Sequence, residues 1–311
     1  MSGWDDGPVL AWRPAVNQVI RGVLVIWTVA IPLASCDLAK TTGSPTSPSG
    51  IAAPAPATPI YYTAIGASDA NGVGSSTPCL PFTPCDNGTG YVPVAARQLR
   101  ASREVTVMNL GIPASVLSPS IEAVARQIGR DVTGNFVDRQ MPFVPTNSTV
   151  VTISGGANDA NAIGEAIERG AATGGIAQYV ETQARAFGAD YDRLIQGVRN
   201  RARSSFVIVL NVPNLAAMPF AAQYPLEHRR VLQMVSVAFS REANRQAGAG
   251  VVVMDVMCDS ALYAASNFSR DGFHPNDAGY ALVATRLVAI INGAASVPPS
   301  TCAAMTALPP A

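Results

Sequence analysis

Beyond residue 59 the chain alternates short apolar runs with longer stretches in which apolar residues recur at helical spacing. The apolar runs are Ile60–Ile65, Glu104–Asn109, Thr149–Ile153, Phe206–Leu210 and Val251–Asp255. Each is rich in β-branched residues and continuous enough to be buried on both faces of a sheet. Helical patterns lie between them, around residues 91–100, 120–129, 178–203, 224–247 and 277–292. Asn276 and Asp277 are placed to cap the last of these. There is no internal repeat. Strands that alternate with helices in this way predict an α/β fold, with about five parallel strands and helices on both faces. In such a doubly wound sheet, ligands bind beyond the C-terminal ends of the strands. The residues that directly follow each strand are therefore where chemistry is expected.

The first 59 residues break the pattern. Arg13 and Arg21 precede an apolar run, Gly22–Ser35, that is short for a bilayer span, is interrupted by Pro32 and ends at Cys36. Leu33-Ala34-Ser35-Cys36 resembles a bacterial lipobox, in which the cysteine is lipidated and becomes the first residue of the mature protein. Residues 1–35 are thus expected to be an export signal and Cys36 a lipid anchor in the bacterial cell envelope. The alternative is an ordinary signal peptide and a periplasmic or secreted protein. Residues 36–59, rich in Pro, Ser, Thr and Ala, have too little apolar surface to order themselves and read as a disordered linker. The folded domain is expected over 60–311.

Composition narrows the function. Charged residues make up 14% of the chain, 21 basic against 21 acidic, which excludes the basic footprint of a general nucleic-acid binder. Four cysteines follow Cys36, an even number in an exported chain, and point to two disulfides. Three pairings are possible. The favoured one is Cys79–Cys85, closing a Pro-rich loop, with Cys258–Cys302 pinning the C-terminal tail. Neither the spacing nor the two histidines match a zinc site.

The strand ends carry the candidate chemistry. After the first strand comes Gly66-Ala67-Ser68-Asp69-Ala70-Asn71-Gly72, a tight turn that exposes a serine hydroxyl and its backbone N–H. After the second comes Asn109-Leu110-Gly111-Ile112-Pro113, and after the third Ser154-Gly155-Gly156-Ala157-Asn158-Asp159, where an asparagine amide can donate to developing negative charge. After the fifth comes Asp271-Gly272-Phe273-His274-Pro275, a histidine with a carboxylate three residues before it. A neutral imidazole takes a proton from a serine near pH 7, and a carboxylate fixes its tautomer. His228, in the charged stretch Tyr224–Arg230, reads as part of a solvated helix face.

Over residues 60–292 this order resembles the SGNH (GDSL-like) hydrolase family, named for its serine, glycine, asparagine and histidine. The most specific parts are Gly156-Ala157-Asn158-Asp159 and Asp271-Gly272-Phe273-His274-Pro275. The resemblance implies a flavodoxin-like three-layer α/β/α sandwich and a serine esterase that needs no cofactor. It implies Ser68 as nucleophile, His274 as base and Asp271 as its orienter. The oxyanion hole would be the N–H groups of Ser68 and Gly111 with the Asn158 side chain. Where the family commonly has Gly-Asp-Ser, this chain has Gly66-Ala67-Ser68, with the acid at Asp69. Orientation of the turn would then fall to Asp69 or Asn71. The substrate expected is a small-molecule, lipid or glycan ester handled by a monomer. Two rivals are a glycan acyltransferase or deacetylase with the same triad, and an inactive, surface-tethered binding protein. The stretches 114–148 and 160–177 are expected to line or cover the cleft.

Overall fold

The computed structural model describes residues 51–309; the expected signal segment and the Cys36 anchor lie outside them. Five strands form one parallel sheet: β1 Ile60–Gly66, β2 Val105–Asn109, β3 Val150–Ser154, β4 Phe206–Leu210 and β5 Val251–Met254, in the order β2-β1-β3-β4-β5. The helices are α1 Tyr91–Arg100, α2 Pro119–Gln127, α3 Phe136–Arg139, α4 Ala157–Glu168, α5 Ile176–Arg201, α6 Leu226–Asn244 and α7 Asp277–Ile291.

The period-two alternation of each strand sends its side chains into two separate cores. Val151, Ile153, Val207, Val209 and Val253 point to the side covered by α2, α4, α5 and α6. Tyr62, Ala64, Val150, Ile208 and Met254 point to the side covered by α1 and α7. Three layers result, as expected. The chain leaves β1 toward β2 at one edge and resumes at β3 on the other side of β1, so the strand order reverses between β1 and β3. A crevice opens at such a switch point, beyond the strand ends.

Two sequence expectations change. Residues 160–168, the first part of the stretch 160–177 expected to line or cover the cleft, belong to α4, and its Ala160, Ile163 and Ile167 sit in the core. Gly164 makes room there, because a Cβ on it would come within 2.9 Å of Leu232 Cδ2. The last part of the expected linker, residues 51–59, has no regular structure yet packs on the domain. Ala53 lies against the α1/α7 core, and Arg103 donates to the Ala55 carbonyl at 3.3 Å. The packed domain thus starts ahead of Ile60.

Both disulfides form in the favoured pairing. Cys79–Cys85 closes a six-residue separation, and Cys258–Cys302 ties the tail to the loop after β5. Asn214 Nδ2, donating to the Ala304 carbonyl at 2.7 Å, holds the same tail.

Candidate active site

Ser68 lies two residues past the end of β1, and its carbonyl accepts the N–H groups of Asn71 and Val73, both at 3.1 Å. These bonds curl the chain into a tight turn that leaves Ser68 Oγ 2.8 Å from His274 Nε2. The residues are 206 positions apart in sequence, so the sheet and the loop after β5 together create the contact.

On the far side of the imidazole, His274 Nδ1 lies 2.6 Å from Asp271 Oδ2. The other carboxylate oxygen, Oδ1, accepts the N–H groups of Phe273 and His274 at 2.8 and 2.9 Å and the Ser269 hydroxyl at 2.8 Å. Partial burial pushes the Asp271 carboxyl up, but the bonds from the His274 ring, the two N–H groups and Ser269 outweigh it and hold its pKa at about 2. The spacing of three residues has a physical reason. One carboxylate can bond to its own loop backbone and still reach the ring. Asn276 then starts α7 by accepting the N–H groups of Ala278 and Gly279, while its amide bonds back to the carbonyls of Ser266 and Phe268.

Asn158 sits in the first turn of α4, which begins at Gly156 in a left-handed conformation (φ 105°). A Cβ at Gly156 would also come within 2.4 Å of Val212, so only glycine fits. The Asn158 amide donates to the Ser115 carbonyl at 2.9 Å, which orients it, and Asn158 and Ser68 line the same cleft.

Gly111 does not play the part expected of it. Its N–H donates to Asn109 Oδ1 at 3.0 Å and is spent inside the protein. The glycine is needed for close packing: a Cβ would lie 2.7 Å from Ala70 Cβ and 2.9 Å from the Asn71 side-chain amide. It lets the loop after β2 press against the Ser68 turn. In the amide orientation that satisfies both ends, Asn71 donates to the carbonyls of Ala67 and Gly111 at 3.2 and 3.0 Å. Asn109 Nδ2 adds a bond to the Ala70 carbonyl at 2.7 Å. Further along the same loop, Ala114 takes a left-handed conformation (φ 61°), unusual for a residue with a Cβ.

Three supporting residues went unread in the sequence. Gln140 is fully buried; its side chain accepts from Gly66 N–H and donates to the Gly66 carbonyl, both at 2.9 Å, and lies 3.2 Å from Ser115 Oγ. It pairs with the end of β1 as another strand would. Asp159 is also fully buried and accepts the N–H groups of Leu117 and Ser118, fixing the loop whose Ser115 carbonyl holds Asn158. Burial raises its carboxyl to about 7 against the pull of those N–H groups, and nearby Asp190 pushes the same way. Tyr280 donates to the Val73 carbonyl at 2.7 Å and lies 3.3 Å from Asp69 Oδ1. Burial pushes the Asp69 carboxyl up, while His274 and Tyr280 pull it down. Where Gly-Asp-Ser is usual, this chain fixes its turn with Asn71, Gln140 and Tyr280.

The cleft walls also differ from expectation. Of residues 114–148 only Ser115 lines the cleft, and none of 160–177 does. The walls come instead from the loops after β4 and β5, through residues such as Pro213, Met218, Leu262 and Phe268. His228, read as part of a solvated face, is buried: it stacks on Tyr224 and pairs through Nδ1 with Glu168, joining α6 to the end of α4.

The model of the GDSL-like lipase/acylhydrolase family matches residues 64–282, from β1 into α7. The chain belongs to this family. Its members are lipase- and esterase-type hydrolases, and the five-stranded sheet with helices on both sides is their fold. Among solved structures, a lipase from a goat rumen metagenome is 19% identical, with a TM-score of 0.52, over 77% of this chain and 100% of its own. An extracellular lipase from Streptomyces rimosus is 16% identical, with a TM-score of 0.50, over 73% of this chain and 98% of its own. At these identities the likeness shows the fold alone. No curated protein matches the chain. The two disulfides suggest that this GDSL-like hydrolase is extracellular or periplasmic. No described helix is long and apolar enough to cross a membrane.

Proposed function

We propose that the protein is a serine esterase that cleaves carboxylic esters through an acyl-enzyme. The observation that carries this reading is the unbroken chain Asp271 Oδ2, His274 Nδ1, His274 Nε2, Ser68 Oγ, with contacts of 2.6 and 2.8 Å. His274 Nε2 takes the Ser68 proton as Oγ attacks the ester carbonyl carbon, and the carbonyl oxygen becomes an oxyanion. The C–O bond to the alcohol then breaks, and His274 gives the proton to the departing alkoxide oxygen. Water, deprotonated by the same nitrogen, attacks the acyl-enzyme, releases the carboxylic acid and restores Ser68.

The oxyanion is assigned to the Ser68 N–H and the Asn158 amide, which line the same cleft. Among the described residues the Ser68 N–H has no hydrogen-bond acceptor, whereas the Gly111 N–H donates to Asn109. Ionised Asp271 keeps the Nδ1 proton in place and stabilises the imidazolium.

Hydrolysis of p-nitrophenyl esters tests the activity: turnover by the wild type that vanishes in Ser68→Ala and His274→Ala is the expected result. Equal turnover in either variant contradicts it. The membrane tether at Cys36 is part of the same proposal. It predicts incorporation of labelled palmitate on expression in a bacterial host, and loss of the label in Cys36→Ser.

A further inference from the structure

The cleft beside Ser68 continues into a cavity of about 100 Å³. Ser115, Ser154 and Asn158 line it together with Ser68. Asn211 and Asn267 also reach it, but most of the remaining wall is apolar. Leu210, Val256 and Val283 come from the core under α1 and α7, and Met218, Phe268 and Phe273 come from the loops after β4 and β5. Among the described residues no lysine or arginine lines the cavity, and Asp69 is its only acidic residue.

We propose that this cavity is the acyl pocket and that it fits unbranched, uncharged acyl chains of roughly four to six carbons. The inference rests on Ser68 being the nucleophile. Two arguments support it. The first concerns which half of an ester sits there. The acyl group stays bonded to Ser68 between the two half-reactions, whereas the alcohol must leave before water attacks. A largely apolar cleft suits the group that stays. The second is volume. A dry protein cavity of about 150 Å³ takes up benzene, six carbons, so this one takes about four, with one or two more carbons at the open mouth. The apolar walls, with no basic partner among them, disfavour chains that end in a carboxylate, because its charge would lose water with nothing to replace it.

The test is the ratio kcat/KM for p-nitrophenyl esters from acetyl to dodecanoyl, measured on the wild type with Ser68→Ala as the control. The expected profile peaks at butanoyl or hexanoyl and falls at least about tenfold by dodecanoyl. The monosuccinyl ester should run about tenfold below butanoyl. Val283→Phe, which fills the cavity, should lower the hexanoyl-to-acetyl ratio about tenfold, and Leu262→Ala, which widens it, should move the maximum to a longer chain. Ser68-dependent hydrolysis with its maximum at acetyl, or at octanoyl or longer, overturns the pocket assignment and leaves the nucleophile standing. Absence of Ser68-dependent hydrolysis at every length overturns the nucleophile, and the pocket assignment with it.

Discussion

The two halves of the site are held in different ways. The base half is local. Asp271 Oδ1 takes its bonds from residues two and three positions on and from Ser269, and Oδ2 takes the ring of His274. All of this happens in a loop where the Asp271 side chain is 47% exposed. The nucleophile half is assembled from afar. Gln140 reaches Gly66 across 74 residues, Asn109 reaches Ala70 across 39, and Asp159 grips Leu117 across 42, all of them buried. A local motif carries its geometry with it, so damage there should cost catalysis and little stability. A buried long-range network ties the position of Ser68 to the stability of the whole domain.

The largest effect expected of the comparison is on the base half. His274→Ala should lower kcat by about 10⁴-fold or more, and Asp271→Asn by about 10²- to 10⁴-fold, because an amide no longer holds the tautomer that accepts the serine proton. Thermal melts of both variants should stay within a few degrees of the wild type. A large drop in melting temperature would break the claim that this half is local. Asn158→Ala comes next: loss of one oxyanion donor should cost about 10²- to 10³-fold in kcat. An effect on KM with kcat unchanged would move Asn158 from transition-state stabilisation to ground-state binding.

On the nucleophile half the order reverses. Gln140→Ala leaves the Gly66 N–H buried without its partner and takes one of two donors from the Gly66 carbonyl, which keeps the Ile112 N–H, and should destabilise the domain by about 2–3 kcal/mol in urea melts. Its loss in kcat should be smaller than that of His274→Ala. Ser269→Ala, the matching change on the base side, should cost about 1 kcal/mol or less; equal costs would erase the contrast.

The most gradual effect is a pH slope. The folded-state pKa of Asp159, raised to about 7 by burial, lies above its unfolded value, so the folded state binds the extra proton between pH 4 and 7. Its contribution is greatest below the unfolded pKa of about 4 and declines as pH rises to about 7, by a few kcal/mol at most. Asp159→Asn should flatten that decline in melts run from pH 4 to 8. A slope identical to that of the wild type would mean that Asp159 is ionised in the fold throughout.

The same local and long-range divide explains what could be read from the chain alone. Each strand was placed to within a residue or two at either end, because its β-branched run is a local signal. Ser68, Asn158, Asp271 and His274 stand out in the sequence because each follows a strand, and the structure brings Ser68, Asp271 and His274 into contact. The Gly111 N–H, expected at the oxyanion, donates to Asn109; a glycine after a strand reads alike whether it serves a ligand or close packing, and only the Ala70 contact shows the packing. Helix α4 was missed because two asparagines, an aspartate and a glycine within Ala157–Glu168 lower its helix propensity, and packing on α6 overrides that. Gln140 carries no signal at all. A lone glutamine in a loop becomes informative only when its partner 74 residues away is known.

Labelling with a fluorophosphonate tests the central claim most directly, because the probe reacts with a serine whose proton a neighbouring base removes. The wild type should be labelled stoichiometrically, with the adduct on the peptide that contains Ser68. His274→Ala should be labelled far more slowly, and Ser68→Ala not at all. Labelling that persists in Ser68→Ala, or an adduct on any other residue, would contradict the account.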